Sequence, residues 1–496
     1  MSKALVINPP FLEPHRPPIS CAILAELLRL NNIDVVIKDI NIELFHTLGS
    51  LEFHELQIKH TTAPDENSCA ILEKFMIAEC QDLNLDSFDW VLISCFSHWN
   101  VAATKQICQW LRTKTTSKIV VGGPGIEHRE VGKEMHQQGI VDFYIYGEAE
   151  HALPALLANN LDFPGINGTA PKQIDDIESI PLPNYGYFNL NRYDWLLDKP
   201  DVFIYGSRGC VRKCTFCDVE KYWPKFRWRS GKSIANEMIS NYEKYGITNF
   251  FFADSLVNGN LKEFSTMCEL LAGYKENLFR WGSYAIVRPK SAHPASLFDL
   301  IRASGGKFWS IGIETGVDRI RFEMQKKFTN DDIDWHLEQS QRIGLQNNFL
   351  CIPTWPGETI EEHHEYLDMF SRWQNYAIDG TIYGIRISAT LSIMDDTRLA
   401  AQAGNTFEFD QFMGGTVVPE LQMTSWRSYN FDHKEKFRRT LALYEAAIKY
   451  NWPLTNCLQN INELKSVVDT WVRHQQKIRP RTVIPLVPIN FDKNNI

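Results

Sequence analysis

Two series of short apolar runs, each rich in β-branched or aromatic residues and separated by helix-like stretches, constrain the fold of this 496-residue chain more than any other feature. The first series comprises 3–8 (KALVIN), 34–38 (DVVIK), 89–95 (DWVLISC), 117–122 (SKIVVG) and 141–146 (VDFYIY), with helical periodicity at 19–31, 100–113 and 127–138. Strands that alternate with crossover helices pair in parallel and are covered on both faces. Residues 1–165 are therefore expected to form a doubly wound, Rossmann-like parallel sheet. A Pro/Gly/Asn-rich stretch with broken periodicity, 166–198, reads as a linker. The second series follows at 202–206 (VFIYG), 249–253 (NFFFA), 282–287 (GSYAIV), 308–313 (FWSIGI), 347–353 (NNFLCIP) and 382–390 (IYGIRISAT). Six strand–helix units over 199–395 predict an incomplete (βα)6 relative of the eight-stranded barrel, an α/β fold like the first. From 396 to 496 the pattern is mainly helical, as at 433–450 and 460–476, and the tail KIRPRTVIPLVPINFDKNNI reads as an extended arm.

Composition narrows the function classes. A net charge of −9 argues against a general nucleic-acid or membrane-surface binder. No run of about 18 apolar residues occurs, and MSKALVINPP lacks the charged stretch, apolar core and small-residue cleavage site of a secretory leader, so a cytoplasmic location is expected. Eight of the eleven cysteines (Cys21, Cys69, Cys80, Cys95, Cys108, Cys268, Cys351, Cys457) are scattered, mostly in apolar stretches, and read as reduced core residues.

The other three are clustered. In YGSRGCVRKCTFCD, Cys210-x3-Cys214-x2-Cys217 follows the first strand of the second series, at the carboxyl end where barrels keep their chemistry. One short loop with this spacing can wrap three corners of a cubane iron–sulfur cluster and leave the fourth iron open. A structural zinc would close with four ligands, and a redox dithiol needs only two cysteines.

At these residues the chain resembles the radical S-adenosylmethionine (SAM) superfamily, whose motif is Cys-x3-Cys-x2-Cys with an aromatic residue, here Phe216, before the last cysteine. FRWRSGKSIANEM, FFFADSLVNGN, WSIGIETGVDRIRFEMQKKFT and IPTWPGET look like further segments of that family, in order. The resemblance implies a 4Fe-4S cluster whose open iron binds SAM, reductive cleavage to a 5′-deoxyadenosyl radical, and an external electron donor of the flavodoxin or ferredoxin type. It also marks candidate SAM contacts, each with a structural reading beside it. Phe216 lends its backbone to adenine or packs beneath the loop. Asp254 and Ser255 bind ribose hydroxyls or cap the next helix. Ser283 and Glu314 are expected to face inward from the third and fourth strands. Arg229 pairs with the methionyl carboxylate or forms an ordinary ion pair. In Pro356–Thr359, Gly357 permits a turn, and Glu358 and Thr359 open a helix.

A parallel α/β domain ahead of the barrel is similar to that of the cobalamin-binding subgroup. Its strand-end loops NPPFLEPHRPP, SCFSHWN and GGPGIEH make Ser94, Ser97, Gly122 and Gly123 candidate corrinoid contacts, while GGPG is also a commonplace turn. One departure stands out: the Asp-x-His-x-x-Gly signature of carriers with a histidine lower ligand is absent, and His15 lacks its neighbours. The resemblance implies a cobalamin-dependent methyltransferase acting on an unactivated carbon of a small molecule, with Trp309, Trp355 and Tyr383 as substrate-selecting or core aromatics. The alternatives are a cobalamin-independent radical SAM oxidoreductase or cyclase, and a non-catalytic iron–sulfur binding protein.

Overall fold

The computed structural model describes residues 2–62, 64–127, 130–193, 200–275, 277–388, 391, 393–394, 397–409 and 426–455. The first series folds into a five-stranded, wholly parallel sheet of order β2-β1-β3-β4-β5: β1 Lys3–Asn8, β2 Asp34–Asp39, β3 Trp90–Ser94, β4 Lys118–Gly122 and β5 Phe143–Ile145. Alternate residues of the central strands feed two cores, as double-sided burial requires. Leu5, Ile7, Val91, Ile93 and Val121 pack on one face, and Ala4, Val6, Leu92 and Val120 on the other, against helices Ile19–Leu30 and Ala149–Leu157. The segment between β2 and β3 holds three helices that periodicity did not mark, Ile40–Leu48, Ser50–Thr62 and Glu66–Cys80. Asp39 caps the first, and a reciprocal Asp65–Ser68 capping box starts the third.

The second series forms a six-stranded parallel sheet of order β13-β12-β11-β10-β9-β6. Its strands are β6 Asp201–Ile204, β9 Asn249–Phe252, β10 Arg280–Ala285, β11 Gly306–Glu314, β12 Gln346–Cys351 and β13 Ile382–Ile387; a two-residue hairpin, β7 Ser207–Arg208 with β8 Arg227–Trp228, lies between β6 and β9. Register sorts the side chains into two faces. Val202, Phe250, Trp281, Trp309, Phe349 and Ile385 join one core with Met238, Phe264, Phe298, Leu337 and Phe370 of the surrounding helices. That is the outer face, so residues at the alternate positions line the inside of the barrel.

Beyond the barrel, β14 Phe407–Phe409 pairs antiparallel with β15 Trp426–Ser428, and helix His433–Lys449 packs back on the sheet. Arg439 from this helix pairs at 2.9 Å with buried Glu358. The region expected to be mainly helical thus contains a hairpin as well as a helix; the second helix, 460–476, and the tail lie outside the described residues. Among the described residues, no helix is long and apolar enough to cross a membrane.

Candidate functional site

The cysteine loop is held at both ends. Strand β6 ends at Ile204, where Gly206 N–H donates to Asp254 at 2.8 Å and the Ser207 hydroxyl donates to the same carboxylate. The β7–β8 hairpin then brackets 209–226, and Gly209 takes φ +87°, where a Cβ would stand 2.8 Å from the Lys225 carbonyl oxygen. Inside the loop, Cys217 N–H donates to the Cys214 carbonyl at 3.2 Å, and Cys210 Sγ accepts from Arg212 N–H at 3.3 Å. Thr215 N–H reaches the Met324 carbonyl at 3.2 Å, and Leu399 N–H the Thr215 carbonyl at 2.7 Å.

All three cysteines are half-buried and unpaired with one another. Burial raises each thiol, Cys217 to about 12, while Lys326 and Arg212 pull Cys210 and Cys214 back down. Those cations favour the thiolates, and with them any anionic cluster the thiolates hold. Among the described residues, no three His, Cys, Asp or Glu side chains converge as a single ion requires; thiolates that each take a separate corner of a cubane need not converge. The donor set fits three corners of an iron–sulfur cluster.

A cleft opens beside this loop, between the two sheets. One wall is made by the carboxyl ends of the first sheet, including Ser94, Gly122 and Gly123; the other by Tyr205, Arg208 and Gly209 at the start of the cysteine loop, with Ser255. Two ionic groups tie the walls together. Glu148, just after β5, accepts from Arg208 and Arg227 at 2.7 Å each and from Ile174 N–H, and Glu150 pairs with Arg208. Burial alone would raise the Glu148 carboxyl; Arg227 and Arg208 overcome it and hold the group below its usual range. Tyr205 Oη and Glu150 Oε2, on residues that line the cleft, are buried without a hydrogen-bond partner, as groups awaiting a polar ligand would be. The cleft is otherwise mainly apolar, and its described lining contains no histidine. A large, flat, amide-rimmed ligand such as a corrinoid fits this chemistry.

The expected contacts distribute unevenly around this site. Ser94 and Gly122 line the cleft, with the Ser94 hydroxyl donating to Ser20 at 2.9 Å. Gly123 lines it too; its φ is +107°, and a Cβ there would stand 2.4 Å from the Cys95 carbonyl oxygen, so the position requires glycine. Ser97 is not in the lining: its hydroxyl accepts from Trp99 N–H and caps a short turn. Asp254 is buried and spent on Gly206 and Ser207, with its carboxyl raised to about 7 by burial, so it braces the loop start; its neighbour Ser255 faces the cleft. Arg229 is 1% exposed and donates to Glu237, Ser233 and the Tyr205 carbonyl, which is the ordinary ion-pair reading. Phe216 meets Trp355 edge-on at 6.1 Å, a packing contact.

Ser283 corrects the expected parity. It pairs in register with Trp309, is fully buried on the outer face and donates to the Tyr284 carbonyl, so its neighbour Tyr284 is the inward residue. Glu314 does face inward. A register shift between Gly312 and Glu314 and a φ of +65° turn its carboxylate back over Gly312. There it pairs at 2.6 Å with Lys326, which also donates to the Gly312 carbonyl and sits 5.8 Å from the Phe216 ring. Lys326 was missed: it lies 112 residues after Cys214, and only the fold brings its ammonium within electrostatic reach of Cys214 and Cys217. Trp309 and Trp355 are core, whereas Tyr383 is half-buried beside Phe308.

Comparison with known proteins agrees with this geometry. Residues 204–370 match the model of the radical SAM superfamily. The cytidylyl-2-hydroxyethylphosphonate methyltransferase of Streptomyces wedmorensis is 28% identical over 206 residues, 38% of this chain and 37% of that protein. An anaerobic magnesium-protoporphyrin IX monomethyl ester cyclase from Synechocystis is 24% identical over 263 residues, 50% of this chain and 51% of its own. The chain thus spans about half the length, or less, of these curated relatives. In overall fold it resembles the radical SAM methyltransferase TsrM from Kitasatospora setae, solved with cobalamin and a [4Fe-4S] cluster, with a TM-score of 0.66 at 15% identity over 96% of this chain and 98% of that one. It also resembles the cobalamin-dependent radical SAM enzyme OxsB, at TM-score 0.57 and 14% identity over 96% and 62% of the two chains. With its three-cysteine loop at the head of a six-stranded parallel barrel and a doubly wound sheet before it, the chain carries a radical SAM domain at residues 204–370 and is similar in overall fold to these two cobalamin-binding structures.

Proposed function

We propose that this protein is a radical SAM enzyme that methylates an unactivated carbon of a small molecule with the help of cobalamin, in the cytoplasm and with electrons from a flavodoxin- or ferredoxin-type donor. The observation that carries the reading is a cleft whose opposite walls are residues of the cysteine loop, Gly209, Tyr222 and Trp223 with Arg208, and the strand-end loops of the first sheet. Cys210, Cys214 and Cys217, on the loop that Gly209 of the cleft wall opens, would hold the cluster, and Ser94, Gly122 and Gly123 in the cleft lining would border the corrinoid. When bound, the cluster supplies the electron that cleaves SAM at its open iron, and the corrinoid supplies a transferable methyl group. The chain's own residues position and shield. The Glu148–Arg208–Arg227 group fixes the separation of the two walls, and the Lys326 ammonium, neutralised in part by Glu314, offsets charge at the thiolates. Of the expected SAM contacts, Ser255 lines the cleft, whereas Glu314 is buried and paired with Lys326.

The cyclase relative supports a second reading, cobalamin-dependent or cobalamin-independent ring closure on the same scaffold. Anaerobic reconstitution followed by absorption and electron paramagnetic resonance spectra, with and without hydroxocobalamin, tests the cofactors. Cluster and corrinoid bands together with 5′-deoxyadenosine formation support methylation; deoxyadenosine from a protein that takes up no corrinoid moves the assignment to the plain radical enzyme. Absence of deoxyadenosine from a protein with a full cluster refutes both.

A further inference from the structure

The inside of the barrel is lined by a continuous row of aromatic rings. Phe203 pairs in register with Phe251, Phe251 with Gly282, and Gly282 with Phe308, so all stand on the face opposite the helices. Phe203 meets Phe251 at 6.3 Å; Phe251 meets Tyr284 and Phe308, each at 6.0 Å; and Phe308 meets Tyr383 at 5.0 Å. These rings are not sealed. Tyr284 is 41% exposed, and Phe203, Phe251, Phe308 and Tyr383 are half-buried, whereas the outer face of the same strands is closed.

The two ends of the row are electrostatically different. At one end Arg16 lies over Phe251 and Phe203 at 4.5 and 5.2 Å and is neutralised by Asp201 at 2.6 Å. At the other, Arg386 pairs in register with inward-facing Leu350. It is exposed, and among the described residues it makes no hydrogen bond or ion pair. It lies one residue before the carboxyl end of β13, the edge strand opposite β6, at the end of the sheet where β6 runs into the cysteine loop.

We propose that this face binds a small molecule with a flat, apolar body and one anionic group, a carboxylate or a phosphate, with the body on the Phe251–Phe308–Tyr383 rings and the anion on the planar fork of Arg386. Its role as the substrate site rests on the radical reading above; the binding chemistry does not. The test is isothermal titration of the reconstituted protein with phenylpropionate, phenethyl phosphate and the neutral phenylpropionamide. At least one anion is expected to bind roughly tenfold or more tightly than the amide, the difference a charge-assisted bidentate contact makes. Which anion wins identifies its source. Arg386→Gln should abolish the preference while leaving the amide's affinity unchanged, and Phe308→Leu should weaken all three. Equal affinity for amide and anions, no binding of any of the three, or a Gln variant that keeps the preference overturns the proposal. Deoxyadenosine formation by the wild-type protein reports the radical reading separately, so either conclusion can fail alone.

Discussion

Glu148→Gln is the most informative single perturbation of the site. The carboxylate is 6% exposed and accepts from Arg208, from Arg227 and from Ile174 N–H, each at 2.7 Å. Arg208 keeps Glu150 after the change, but Arg227, also 6% exposed, has no other carboxylate partner among the described residues. Stranding a buried charge in this way costs about 3–5 kcal/mol, and because Arg227 still donates to the Ile174 carbonyl, a value of about 3 kcal/mol is expected. Two units meet here, so unfolding need not be two-state, and the loss is best read from urea unfolding followed both by circular dichroism and by proteolysis within 209–226. Pairing the change with Arg227→Met removes both charges; the double variant should recover about 1–3 kcal/mol relative to the sum of the singles. Glu148 is held below its usual carboxylate range, so its contribution is present above the unfolded-state value and is lost as pH falls through the depressed folded value. A Gln variant within about 0.5 kcal/mol of wild type, or strictly additive singles, would refute the view that this group clamps the cleft.

Other positions give independent tests. Cys214→Ala should lower iron bound per chain and the cluster absorbance after anaerobic reconstitution; a variant that keeps both removes that thiolate from the ligand set. Gly123→Ala forces a side chain to φ +107° against the Cys95 carbonyl and should cost at least about 1–2 kcal/mol in chemical denaturation, with wild-type stability as the contrary result. Buried His293, His336 and His363 are lowered by burial to about 3, 4 and 3, so they stay neutral in the fold while the unfolded chain protonates near 6.5. Stability should therefore fall as pH drops from about 6.5 towards 4, by up to about 1.4 kcal/mol per pH unit for each histidine, and His363→Phe should flatten the slope measured by urea titration at several pH values. An unchanged slope would place the acid sensitivity elsewhere.

Much of this arrangement is legible in the sequence because it depends on local signals. Strand runs such as KALVIN and NFFF, and the x3–x2 cysteine spacing, are set within a few residues, and the structure returns both sheets with strand limits shifted by at most two residues, except that β13, expected over 382–390, ends at Ile387. The three helices between β2 and β3 were not read. Ser50–Thr62 presents polar and apolar residues with little segregation, and its Phe53 and Leu56 are buried against neighbouring helices that no local window contains. The partners of Arg229 were beyond local reading for the opposite reason: Glu237 is only eight residues on, but an RWRS segment next to a cysteine motif carries no mark that separates a helix-bound pair from a ligand contact.

The residue pair Ser283 and Tyr284 shows where local reading ends. Period-two alternation states that one of the two faces the barrel interior, but not which, since WGSYAIV is apolar on both sides of the strand. What settles it is pairing: Ser283 lies beside Trp309, whose indole is buried among the helices, while Tyr284 lies beside Ser310, which pairs with Asn348 and so shares the inner face. A small hydroxyl is thus committed to the outer core and a phenol to the cavity. The same parity places Arg386 beside Leu350 on the inside and Ile385 and Ile387 on the outside of β13. An arginine between two isoleucines in an interior-facing position has no packing reason to be there, because a fully sealed barrel would exclude its charge. On the binding proposal above, its place on the inner wall, one residue before the end of β13, is accounted for by an anionic ligand, and the charge requirement can be measured without knowing the reaction.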